Sequence, residues 1–123
     1  DMGKREVIGL PPEPNQRRRL SPLERAREDV TRSRQRVDKW RTSIAGYKQD
    51  LARLDEDSAY VPEWYATSRV HAWMKTPHEI RKTLAANLQV CRKQLTRHED
   101  RLREGERHVA ELEAAESAKE SQV

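Results

Sequence analysis

Leu23, Ala26, Val30, Ser33, Val37, Trp40, Ile44, Tyr47, Leu51 and Leu54 recur at alternating spacings of three and four residues. That period keeps one narrow stripe of a helix turned toward a partner helix. It predicts a coiled-coil seam rather than the broader apolar face of a globular helix. A second stripe has the same alternation: Leu84, Leu88, Cys91, Leu95, His98, Leu102, Gly105, Val109 and Leu112. Polar and charged residues fill the positions between.

Both stripes have marked beginnings. Ser21-Pro22-Leu23-Glu24 places a capping hydroxyl, a proline at the first helical position and a glutamate able to reach back, which together form a capping box. Thr76-Pro77-His78-Glu79 repeats the device. The first helix is predicted over 22–55 and the second over 77–115, with fraying in the Ser-, Lys-, Glu- and Gln-rich residues beyond. At 1.5 Å per residue the first helix is about 50 Å long. Gly46 lies beside the seam, where it permits a close contact or a slight bend.

The joining segment breaks the pattern. Asp55, Glu56 and Asp57 at a helix C-terminus oppose its macrodipole and fit a turn. They are weighed as a carboxylate tip that reaches a metal in another enzyme, and a solvated turn is preferred. Pro62 opens a short helix within about 60–74, with Ser58 or Tyr60 near its entry. Ala66, Val70 and Trp73 share one of its faces, with Trp64 and Tyr65 pointing at least partly elsewhere. Four of the chain's six aromatic rings, Tyr60, Trp64, Tyr65 and Trp73, fall in this stretch. Residues 1–20, with Pro11, Pro12 and Pro14, are expected to form an extended arm. The helical hairpin then occupies 21–123.

Composition narrows the class. Of 123 residues, 37% are charged and 34% hydrophobic, too polar for a thick globular core. One cysteine excludes an intramolecular disulfide. No apolar run approaches the roughly 18 residues that suggest a membrane span. The initial residues lack the apolar region of a secretory signal, so an intracellular, cytoplasmic protein without membrane insertion is the default expectation.

Charge orients the two helices. Residues 21–54 carry nine basic and five acidic groups, 77–98 five and one, and 99–123 four and eight. Folding back antiparallel lays the acidic end beside Arg25, Arg27, Arg32, Arg34 and Arg36, whereas a parallel pair brings like charges together. One register sets Leu54 by Leu84, Tyr47 by Cys91, Trp40 by His98, Ser33 by Gly105 and Val30 by Val109. A slip of one heptad instead sets Trp40 near Cys91, and the first register is favoured. The cations this leaves toward the tip are Arg41, Lys48, Arg53, Arg81, Lys82, Arg92, Lys93 and Arg97.

The expected fold is all-α: two long helices in an antiparallel coiled-coil hairpin, joined by a short helical aromatic connector, with an extended N-terminal arm. No metal or catalytic residues and no cofactor are assigned. His71, His78, His98, His108 and Cys91 lack zinc-motif spacing, and a thin stalk offers carboxylates no enclosed site that separates their pKa values. His98 reads as a register-setting seam residue and Cys91 as a small buried hydrophobe.

The leading functional reading is a non-enzymatic interaction and assembly protein that docks protein subunits through its tip, seam or arm. A homodimer or larger assembly is among the expected forms. Tyr60, Trp64, Tyr65 and Trp73 are the candidate partner-binding residues. The alternative is a DNA- or RNA-binding accessory factor, with Arg17, Arg18, Arg19, Arg81, Lys82, Arg92, Lys93 and Arg97 as the candidate phosphate contacts.

Overall fold

The computed structural model describes residues 19–68 and 76–122. Within them lie three helices: α1 (Pro22–Glu56), α2 (Glu63–Ala66) and α3 (Pro77–Ser121). The predicted arm lies outside the described residues except at its end, Arg19 and Leu20.

Helix α1 begins on the capping box that its sequence predicts. Ser21 Oγ accepts from the Glu24 N–H at 3.1 Å, and the Ser21 N–H donates back to Glu24 Oε1 at 2.9 Å. At α3 only the forward half forms, with Thr76 Oγ1 accepting from the Glu79 N–H at 3.2 Å. Helix α1 stops at Asp57, whose backbone is extended and whose N–H reaches the Arg53 carbonyl. Its carboxylate then accepts from the Ala59 N–H and its carbonyl from the Tyr60 N–H, closing a turn of the kind aspartate favours.

The helices pack antiparallel, with ion pairs Arg27–Glu113, Arg34–Glu106 and Arg41–Glu99 at 2.8, 3.1 and 3.0 Å. Each step of one heptad forward along α1 meets one heptad backward along α3. The Trp40 and His98 rings lie stacked, with centroids 6.5 Å apart and planes 11° from parallel. This contact selects the favoured register over the slipped one. Gly105 meets α1 at Val30, however, one turn from the expected Ser33. A Cβ on Gly105 would come within 3.1 Å of Val30 Cγ2, so the missing side chain lets the helices approach. Gly46 serves no such purpose, since a Cβ there would meet nothing.

In this register the first turns of α3 run past the end of α1 and meet the connector. Leu54, Tyr65, Ile80 and Leu84 form the more deeply buried of two core clusters, each 2% exposed or less, with Tyr47, Leu51, Tyr60 and Val61 against it. A second cluster of Ile44, Leu88 and Cys91 follows, flanked by Trp40 and Leu95. Each fully buried side chain of this size contributes roughly 1.5–3 kcal/mol by area, so the core sits at the tip. Toward the base the seam is lopsided. Leu23, Ala26, Val30 and Val37 are buried on α1, whereas Leu102, Val109 and Leu112 on α3 keep part of their surface.

Two boundaries differ from expectation. The short helix is entered at Glu63 after Pro62 and is only four residues long. Thr67 Oγ1 donates to the Glu63 carbonyl and the Ser68 N–H donates to that of Tyr65, tightening the turn that closes it. Val70 and Trp73 lie outside the described residues. Helix α3 continues past 115 to Ser121. There Ala114, Ala115 and Ala118 are interspersed with Glu116, Lys119 and Glu120, all strong helix formers, and no glycine or proline intervenes.

Candidate functional site

Two regions gather the residues singled out by sequence: the aromatic tip and the cationic stretch beneath it. At the tip, one carboxylate organises the rings. Asp50, from the next-to-last turns of α1, accepts from Tyr60 Oη at 2.7 Å and from Trp64 Nε1 at 3.0 Å. The Trp64 ring meets Tyr47 edge-on at 5.4 Å and Tyr65 at 5.8 Å, the arrangement that ring quadrupoles favour. Arg53 lies over Tyr60, 5.8 Å from its centroid. The Asp50 bond holds the Tyr60 proton and raises its pKa. Burial does most to raise that of Tyr47, followed by Cys91 and Asp50, against a lowering hydrogen bond to Asn87.

The tip therefore separates its candidate residues. Tyr65 has no accessible surface and belongs to the core, so it offers a partner nothing in this conformation. Trp64 is 37% exposed and Tyr60 half-buried, which leaves Trp64 as the outward ring. Trp73 lies outside the described residues. Asp50, which holds the connector to α1, is not among the residues that the sequence singles out. Its signal there is a lone acid one turn after Tyr47, ahead of a connector rich in O–H and N–H donors.

The cationic residues also divide. Arg81 is taken by Asp55 at 2.7 Å, Arg41 by Glu99 and Arg53 by the Tyr60 ring. Lys82, Arg92, Lys93 and Arg97 are exposed and, among the described residues, in no ion pair. Gln89, Arg92, Lys93 and Thr96 line a shallow depression on α3. Arg19 is exposed ahead of α1, and Arg17 and Arg18 lie outside the described residues.

Between tip and base sits His98, half-buried, with Nδ1 enclosed and without a hydrogen-bond partner. Burial lowers its pKa, and Arg101, Arg36 and Arg97 lower it further. At the base, an open groove of about 320 Å³ runs between Arg27, Val30, Thr31 and Arg34 of α1 and Glu106 and Val109 of α3. Among the described residues no group of three or more His, Cys, Asp or Glu side chains is placed to hold a metal ion. None of their helices is long and apolar enough to cross a membrane.

No protein-family model matches the chain, and no curated protein or solved structure matches it either.

Proposed function

We propose that this chain is a non-enzymatic interaction and assembly element, a stiff two-helix stalk that docks a protein partner along its base seam, with Trp64 at the tip as a second contact. The observation that carries this reading is the lopsided base. Leu102, Val109 and Leu112 follow the seam period yet remain partly wet, beside a groove whose floor includes Val30 and Val109. A further helix laid there would finish the burial that two helices leave incomplete, as in helix bundles. Trp64 has the size and the anchored indole N–H typical of interface residues.

Photo-crosslinking residues placed singly at positions 64, 102 and 109, with position 104 on the far face of α3 as control, test the proposal in the protein's native cells. Discrete adducts from 102 and 109 but not from 104 support base docking, and an adduct from 64 adds the tip. The adduct mass separates a second copy of the chain from a different protein. Equal labelling at all positions, or none at any, overturns the reading.

A further inference from the structure

The ion-pair ladder on one flank of the hairpin stops at a definite place. Its rungs Arg27–Glu113, Arg34–Glu106 and Arg41–Glu99 are spaced by one heptad on each helix. One more heptad toward the tip, the same register sets Lys48 of α1 opposite Arg92 of α3. Where three rungs oppose charges of opposite sign, this one opposes two cations. Neither is in an ion pair with a described residue. Beside Arg92 lies the depression lined by Gln89, Lys93 and Thr96. From Ile80 to His98, α3 has five cations and no carboxylate over about 28 Å, so nothing on that helix neutralises the rung locally.

We infer that this interrupted rung, Lys48 and Arg92 with Lys93, Gln89 and Thr96 around it, is a binding site for the phosphodiester backbone of a nucleic acid. Two like charges facing across a seam repel, and a phosphate spanning them turns that repulsion into two attractions. The amide of Gln89 adds hydrogen-bond donors of the kind that fix backbone phosphates, while the Thr96 hydroxyl donates to the Arg92 carbonyl. An acidic protein fits the same charge less well. The exposed large apolar side chains among the described residues are Trp64 and Val90, and neither lines the depression, so the buried anchor of a protein interface is missing. Contacts of this type read charge and spacing, not base edges, so binding is sequence-independent and falls with salt. The site is separate from the base seam proposed for protein docking, and either stands without the other.

The ladder supplies its own test variant. Arg92→Glu removes the phosphate contact and sets a carboxylate opposite Lys48, extending the ladder to a fourth rung, so lost binding is not traceable to lost fold. Lys48→Glu is the mirror variant. Fluorescence anisotropy with labelled 20-nucleotide duplex DNA, single-stranded DNA and RNA is read for the full chain at 50 and 200 mM salt, with melting temperatures measured in parallel. Wild-type binding should weaken on the order of 40-fold between the two salts if about three phosphates are engaged. Each variant should bind at least about tenfold more weakly at 50 mM, with its salt slope reduced by about one or more, while melting no lower than wild type. Whichever of the three probes binds tightest identifies the source of the phosphates. Absence of binding at 50 mM overturns the inference, as does wild-type affinity in both variants. Displacement by polyglutamate at equal charge concentration as effective as by unlabelled nucleic acid overturns it in favour of an acidic protein.

Discussion

The tip half and the base half of this hairpin are built from the same two helices and the same spacing rule, yet they are held differently. At the tip the connector adds a third layer. Tyr65 fills the space between Leu54, Ile80 and Leu84, and Asp50 fastens Tyr60 and Trp64 over it. At the base only two helices meet, α3 keeps its leucines half wet, and the flank is laced with exposed Arg–Glu pairs. Exposed pairs contribute about 0–1 kcal/mol each, far less than buried rings and leucines. The tip thus supplies most of the cohesion, and the base supplies direction and register.

The contrast is sharpest in truncations. Tyr65→Ala should destabilise the full chain by about 3–5 kcal/mol, the range for emptying a buried aromatic site, while Val109→Ala should cost about 1 kcal/mol or less. Urea unfolding followed by circular dichroism measures both. Equal losses at the two positions would erase the distinction between the halves.

The two glycines test close approach in one half against open surface in the other. Gly105→Ala gains the helix propensity of alanine but pushes a methyl against Val30 Cγ2, so it should leave the chain about 1–2 kcal/mol less stable than the Gly46 variant. Gly46→Ala meets nothing and should raise stability by up to about 1 kcal/mol, because alanine removes the entropy cost of glycine in a helix. The same unfolding assay reads both, and a clear gap in favour of the Gly46 variant is the expected result; equal gains would mean that Val30 yields to the new methyl at no cost.

The smallest effect is expected at His98, where the halves meet. Its folded pKa lies below its unfolded value, through burial first and then Arg101, Arg36 and Arg97. The unfolded chain accordingly takes up a proton more readily. The neutral ring's contribution is fully present above about pH 6.5 and is lost as pH falls from there toward the folded pKa. Wild type should therefore lose more stability than His98→Gln between pH 7.5 and 5.5. Parallel pH profiles in the two proteins would mean that the Trp40–His98 stack carries no such linkage.

The features legible in the sequence are those written in local chemistry. Ser21-Pro22-Leu23-Glu24 announces its own cap, and the alternation from Leu23 to Leu54 defines a stripe before any partner is known. Antiparallel pairing follows because charge blocks on two helices must match over their whole length. What is not legible depends on three bodies meeting at once. Ile80 lies one turn before the expected seam because it packs on the connector as well as on α1. Tyr65 and Trp64 are adjacent in sequence, yet one is sealed and the other partly wet, a division made by the short turn after Pro62 rather than by composition. In the sequence Arg81 and Arg41 look as free as Lys82 and Arg92, since the carboxylates that claim them, Asp55 and Glu99, are distant along the chain.

The path of the chain, up α1 and back down α3, also has a mechanical meaning. Arg19 and Gln122, the outermost described residues beyond the two long helices, are both at the base. Tension applied between them opens the rungs one after another, beginning where the seam is wettest, and so peels the pair apart at low force. Tension between base and tip instead loads every rung in shear together. A stalk of this design is compliant to a pull across its foot and stiff along its length, so the direction from which a partner pulls decides whether the hairpin holds or unzips.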